Sequence, residues 1–399
     1  MGGMLAAVLY ADFDPRRGYA ISRDEVASRK VREGSSVWRN PRLRLEERDI
    51  PKPRGREVLI RVKAVGICGS DIHMVESDSE GYMLYPGLTR LPVVLGHEFS
   101  GIVEEVGGGV RSVKPGDMVT SEEMLWCGEC LICRSIDVNH CTRLNDPGDL
   151  EFGELGFTHD GAMAEYVVVH EKYLWSINSL LDRYRSEDRV FEAGSLVEPA
   201  SVAYRAIFNR AGGFDPGSYV AVWGAGPIGL SAIALAKTAG ASRVIAFEVS
   251  SIRIELARSM GADYVFNPIE LERMGVQPWE KIIEVTDGWG VDLHVEASGV
   301  PELLTQMERS LAIGGKIAWI GRAPRSVSMY PEIFQVRRGQ IYGSQGHSGW
   351  GIFRNVIRLM SSGSIDTTKM ITSRFRLSEI FKAFERARQR VDGKITLKP

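Results

Sequence analysis

The feature that most restricts how this 399-residue chain can fold is the turn Gly224-Ala225-Gly226-Pro227-Ile228-Gly229. It fits G-x-G-x-x-G, comes directly after a short apolar run at residues 219–223, and opens a stretch at 228–239 with helical apolar spacing. The first glycine permits the tight turn, the second lets the backbone approach a pyrophosphate, and the third lets helix and strand pack closely. The start of the helix then offers unpaired N–H groups to phosphate oxygens. Gly224, Gly226, Pro227, Ile228 and Gly229 are therefore the candidate dinucleotide-binding turn.

Beyond the turn, the chain has the rhythm of a doubly wound α/β domain. Apolar strand-like runs at 244–247, 264–266, 293–297 and 316–320 alternate with helical patterns at 252–260, 279–286 and 302–311, which implies a parallel sheet covered by helices. The strand at 244–247 ends at Glu248. A carboxylate there accepts hydrogen bonds from ribose hydroxyls and repels a 2′-phosphate, so NAD is expected over NADP. Arg253 nearby could still meet a phosphate, which keeps the second cofactor open.

The first part of the chain reads differently. Runs at 57–65 and 99–106 are strand-like and bounded by Gly and Pro, and Pro115-Gly116-Asp117 reads as a turn into another strand. The apolar start, residues 1–11, reads as a first strand because it lacks a basic leader and a cleavage pattern. Residues 12–41 are polar and charged, and are expected to form a partly helical insertion on the surface. From Gly343 two further helix-like stretches precede a last strand at 394–397. The expected organisation is a β-rich domain over 1–200, a dinucleotide domain over 201–342 and a return segment over 343–399.

The five cysteines are Cys68, Cys127, Cys130, Cys133 and Cys141. An odd, clustered set argues for metal rather than a disulfide framework. Cys127-x2-Cys130-x2-Cys133-x7-Cys141, in a lobe of about residues 122–146, supplies four soft thiolates to one tetrahedral Zn²⁺ with no open position. The spacing differs from the usual iron–sulfur patterns. His140 adjoins Cys141 but is not needed by an ion already saturated with sulfur.

The remaining polar signals are scattered: Cys68-Gly69-Ser70-Asp71-Ile72-His73, Gly96-His97-Glu98, and Glu198-Pro199 after an apolar Ser195-Leu196-Val197. A carboxylate in an apolar segment, such as Glu198, needs a partner, a metal or a proton. Taken together and in this order, with the cysteine lobe and the glycine turn, these motifs resemble the zinc-dependent medium-chain dehydrogenases/reductases. Glu198, where liver-type alcohol dehydrogenases carry cysteine, resembles the polyol branch that includes sorbitol and threonine dehydrogenases. Residues 79–87, 195–199 and 343–349, with the insertion at 12–41, further resemble the scyllo-inosose dehydrogenase group.

That resemblance implies a GroES-like catalytic domain joined to a Rossmann domain, two zinc ions per chain and NAD. It implies that Cys68, His97 and Glu98 or Glu198 hold a catalytic zinc, with the choice between the two carboxylates left open. Ser70 would pass the proton of a secondary alcohol towards the cofactor ribose, and His73 would hand it to solvent. Asp71 would orient a ligand histidine, and Tyr82, Tyr85 and His347 would border a polyol or cyclitol. A dimer or tetramer is expected by analogy.

Composition excludes other classes. The formal charge of −2 gives no footprint for nucleic acid or an anionic membrane. No apolar run is long enough to span a bilayer, and a cytoplasmic location is expected. Competing readings are a zinc-free enone or quinone reductase, a threonine- or simple-alcohol-type dehydrogenase, and a non-enzymatic NAD-binding protein.

Overall fold

In the computed structural model, which describes residues 2–323 and 325–399, the apolar runs after residue 218 line up as one sheet. Tyr264–Phe266, Arg243–Phe247, Tyr219–Trp223, Val291–Glu296, Leu311–Trp319 and Gln340–Gly343 lie side by side in that order, all parallel. Val220, Ala221, Val222 and Trp223 are completely buried, as expected of a parallel strand covered on both faces. Helix Pro227–Thr238 is buried continuously from Gly229 to Ala236, so its apolar character all round reflects a helix sunk in the core.

Three elements of this region escape the apolar-period signal. Gln340–Gly343 is largely exposed and closes the edge of the sheet. Helices Pro268–Arg273 and Pro331–Arg337 are too short to display a repeating apolar face. Each begins on a proline, whose fixed φ suits the first helical position.

The β-rich body is built around strand Glu57–Gly66. Along one edge it pairs with Glu98–Val106. Along the other it pairs first with Tyr166–His170 and then with Lys394–Lys398, brought back from the end of the chain. Strand Ile371–Arg376, which the sequence pattern did not reveal, runs parallel to Lys394–Lys398 and forms an edge of the sheet. Among the described residues no helix is long and apolar enough to cross a membrane.

The insertion differs from its expected form. Strands Gly3–Phe13 and Trp38–Asp49 stay paired as far as Phe13 and Trp38, so its outer residues are strand. Nor does it lie wholly on the surface: Lys30, Val31 and Val37 are fully buried. Lys30 Nζ donates to the carbonyl oxygens of Asp146, Asp149 and Phe152 at 2.9, 2.7 and 2.8 Å. Three acceptors satisfy the three ammonium protons, which is why a lysine can be buried there. Helix Arg23–Ser28 in the same segment is closed by a capping box between Ser22 and Glu25.

Candidate active site and cofactor cleft

Strand register assembles the site. Gly66 at the end of Glu57–Gly66 lies opposite Glu98 at the start of Glu98–Val106, and Thr396 lies opposite Gly66 on the other edge. The loop leaving the first strand carries Cys68, the turn entering the second carries His97, and the last strand begins with Lys394. Ligand atoms of Cys68, His97 and Glu98 consequently lie within 4.8 Å of one another.

Charge around this cluster is unbalanced without a cation. Asp71, Glu98, Glu154 and Glu198 are buried carboxyls, and Lys394 is a buried lysine among them. Lys394 Nζ pairs with Glu98 Oε2 and donates to the Ile67 carbonyl at 3.0 Å. Burial pushes the carboxyls of Asp71, Glu98 and Glu123 up. Burial pulls His97 down, but Asp71 and the Cys68 sulfur outweigh it and hold the imidazole well above its usual range. Asp71 Oδ2 accepts the Cys68 N–H at 2.8 Å, while Oδ1 faces His97 Nδ1 at 3.8 Å. One carboxylate thus holds the thiol loop by a hydrogen bond and faces the imidazole through charge alone. A thiolate, an imidazole and a carboxylate with surplus negative charge form a donor set that suits zinc.

Glu198 falls in an adjoining cluster. It sits in the first turn of the buried helix Val197–Tyr204, and its Oε1 lies 2.9 Å from His347 Nδ1. Glu123, Glu198 and His347 form a second group with ligand atoms within 4.8 Å of one another. Burial alone would raise the Glu198 carboxyl, but the neighbouring His347 holds it below the usual value.

The cofactor side faces the same loop. A cavity of about 210 Å³ is lined by Gly69 and His73 from the Cys68 loop, Pro227 and Arg253 from the dinucleotide domain, and Arg390 and Lys394 from the return segment. Ser70 Oγ is buried without a hydrogen-bond partner among the described residues. His73 Nε2 lies 3.1 Å from Arg390 Nη2, and burial and that guanidinium lower its basicity.

The glycine turn has the expected shape. Gly224 has φ +85°, a side chain on Gly229 would overlap the Gly224 carbonyl, and one on Gly226 would approach only Arg253 Nη1, at 4.0 Å. The open space beside Gly226 is the cradle a pyrophosphate requires. Glu248 Oε2 accepts the Ala225 N–H at 2.7 Å, and Oε1 accepts those of Val249 and Ser250 at 2.8 and 2.9 Å. Oε2 therefore retains a lone pair for a ribose hydroxyl. Arg253 Nε donates to the Asp392 carbonyl, so this side chain is tied to the return segment.

The four lobe cysteines converge, with sulfurs within 4.8 Å of one another and all free thiols. N–H groups of Glu129 and Cys130 point at Cys127 Sγ, both at 3.3 Å, and that of Cys133 points at Cys130 Sγ at 3.4 Å. These donors favour thiolates. His140 is exposed beside Asp137. Among the described residues, Leu88, Met124, Leu144 and Phe152, with the half-buried Trp126, pack with the cysteines, a small core of the kind that a bound ion commonly reinforces.

Among the expected substrate neighbours, Tyr85 lines a cavity of about 320 Å³. Tyr82 instead lies under the guanidinium of Arg16, 4.0 Å from its ring centre. His347 is buried behind Glu198. Sequence reasoning missed Lys394, Glu123 and Glu154. Glu154 carried a readable signal, since a carboxylate between Gly153 and Leu155-Gly156-Phe157 raises the same question as Glu198.

A β-rich domain that presents thiol, imidazole and carboxylate to a Rossmann glycine turn defines a two-domain dehydrogenase. Comparisons agree: residues 54–179 match the alcohol dehydrogenase GroES-like domain and residues 227–362 the zinc-binding dehydrogenase domain. The chain is 46% identical over 391 residues to scyllo-inosose 3-dehydrogenase of Thermotoga maritima, covering 94% of this chain and 95% of that one. A solved Thermotoga maritima protein assigned as an alcohol dehydrogenase superposes with a TM-score of 0.91 at 43% identity, covering 99% and 100% of the two chains. A Sinorhizobium meliloti protein assigned as a zinc-binding dehydrogenase, solved with NADP, gives a TM-score of 0.77 at 26% identity over the full length of both. The chain belongs to the zinc-binding medium-chain dehydrogenases and is an oxidoreductase.

Proposed function

We propose that this enzyme oxidises a secondary alcohol of a cyclitol or related polyol to a ketone, with NAD as hydride acceptor. The observation that carries this reading is the cavity shared by the Cys68–His73 loop and the first turn of the dinucleotide helix. The relative named scyllo-inosose 3-dehydrogenase supports the substrate class.

In this reading Cys68, His97 and Glu98 hold a catalytic zinc, with Glu198 adjoining, and Cys127, Cys130, Cys133 and Cys141 hold a structural one. When bound, the catalytic ion supplies Lewis acidity to an alcohol oxygen, and the dinucleotide supplies the carbon that takes the hydride. Asp71 faces the imidazole of His97 and favours its positive charge. Ser70 Oγ accepts the hydroxyl proton as it gives up its own towards the cofactor ribose, and His73 at the edge of the cleft hands the relayed proton to solvent. Glu248 is the support for NAD, because its remaining lone pair suits a ribose hydroxyl and its charge opposes a 2′-phosphate. We place the enzyme in the cytoplasm as a homo-oligomer.

The test is a spectrophotometric screen of inositols, keto-inositols, sorbitol, threonine and simple alcohols with each cofactor, alongside zinc analysis. Cyclitol-dependent NAD reduction with about two zincs per chain is expected. Turnover of simple alcohols alone would refute the substrate class, and strict use of NADP would refute the role of Glu248.

A further inference from the structure

The cavity of about 320 Å³ is lined by Arg32, Tyr85, Asn145, Glu154, Arg322 and Gln345, among others. These residues come from the insertion, the loop after residue 84, the zinc lobe, strand Gly153–Glu154, the dinucleotide domain and the return segment. Such convergence of polar side chains on one concavity marks a ligand site rather than a packing defect. A chain of two ring contacts links it to the thiol–imidazole cluster: Tyr85 stacks on Phe157 with ring centres 4.9 Å apart, and Phe157 packs on His97 at the same distance.

Glu154 stands out in this lining. It is only 7% exposed. Its main-chain N–H donates to Thr158 Oγ1 at 2.8 Å and its carbonyl accepts from Thr158 and His159. The carboxyl itself has no hydrogen-bond partner among the described residues. Burial, and then the charge of Glu123, push it up to about 8, so at neutral pH it both donates and accepts. Arg322 is among its charged neighbours and lies over the Tyr85 ring, 5.3 Å from the centroid. The carboxyl oxygens open onto the cavity rather than being sealed in protein, so ligand hydroxyls can bond them in place of water.

We infer that Glu154, with Arg322 beside it, recognises hydroxyl groups flanking the reacting carbinol and confines the enzyme to polyhydroxylated rings. The inference rests on the reading of this site as that of a polyol dehydrogenase. A carboxyl can hold two neighbouring hydroxyls at once, and an unsubstituted ring would leave it unsatisfied. Sites built around buried polar groups reject analogues that lack the matching hydroxyl far more strongly than apolar pockets reject a methylene.

Two rings of the same size separate the possibilities: an inositol and cyclohexanol. In Glu154→Leu, kcat/KM for the inositol is expected to fall about 100-fold or more, chiefly through KM, while that for cyclohexanol stays the same or rises. Glu154→Gln keeps the shape and a donor–acceptor pair, and should lose about tenfold on the inositol alone. Arg322→Leu should change selectivity in the same direction. Zinc content and NAD affinity should match wild type in all three. Equal losses on both rings, or none on either in the folded Gln variant, would overturn the inference while leaving the polyol reading intact. A wild-type enzyme that oxidises cyclohexanol but no polyhydroxylated ring would overturn both.

Discussion

His347 Nδ1 lies 2.9 Å from Glu198 Oε1, and the opposite nitrogen of the same ring accepts the main-chain N–H of Glu123 at 3.1 Å. A main-chain N–H can only donate, so Nε2 keeps its lone pair and the proton sits on Nδ1, facing the carboxylate. His347 thereby holds one oxygen of Glu198.

Replacing His347 with alanine should release that carboxylate. Outer partners of metal ligands typically carry about 10–100-fold in affinity or activity. His347→Ala is expected to lose at least tenfold in kcat and to yield one zinc to mild chelation while retaining the other. Turnover and zinc analysis after dialysis against a weak chelator provide the check.

The loop that carries His347 is anchored on the cysteine lobe. Asn139 Oδ1 accepts the N–H groups of His347 and Ser348 at 2.9 and 2.8 Å, and its Nδ2 donates to Asp137 and to the Ser348 carbonyl. Asp137 in turn pairs with the buried Arg205. Asn139→Ala should cost about 1–3 kcal/mol, because it leaves buried main-chain groups unpaired, and should lower kcat despite making no contact with substrate. Removal of the zinc proposed for the lobe should have the same effect on kcat. Thermal melting and steady-state kinetics measure the two effects separately.

The glycine turn yields a contrast between neighbours. Gly226→Ala places its methyl in open space beside Arg253, so the protein should melt as wild type but bind NAD at least about tenfold more weakly. Gly229→Ala drives a methyl into the Gly224 carbonyl, and should destabilise the fold by several kcal/mol. Cofactor titration and calorimetry distinguish the two outcomes.

Lys30 ties the insertion to the lobe through three carbonyl groups. Lys30→Met keeps the apolar stem and removes the three donors, so a loss of about 2–4 kcal/mol is expected, with faster loss of the lobe zinc. Chelator-driven zinc release, monitored with a thiol reagent, tests it.

Glu171 governs part of the acid sensitivity. Its carboxylate accepts from Arg56, Arg111 N–H and both donors of Ser112. Burial works against ionisation, but these donors outweigh it and hold the group at about 2. The stabilisation is therefore complete above the unfolded value near 4.3 and is lost as pH falls towards about 2. Glu171→Gln should be less stable than wild type at neutral pH, and the gap should narrow to about half by pH 3. Denaturant melts at pH 7 and pH 3 measure it.

Local signals explain what could be read in advance. The glycine turn, the four-cysteine spacing and the strand–helix alternation each declare themselves within a few residues, because each depends on neighbours along the chain. Gln340–Gly343, Ile371–Arg376 and the extended pairing of the insertion stayed hidden. Their status as strands comes from partners far away in sequence, with no strong period of their own.

The sequence alone therefore determined the class of this protein: a dinucleotide turn on an α/β domain, a four-thiol lobe, and scattered Cys68, His97, Glu98 and Glu198. Tertiary structure decided their grouping. It set Glu98 beside Cys68 and His97, gave Lys394 to Glu98 and His347 to Glu198, and aimed Glu154 into a polar cavity. The physical reason is register. Gly66 opposite both Glu98 and Thr396 fixes which distant side chains share one buried space, and in that space each charge takes the partner within reach.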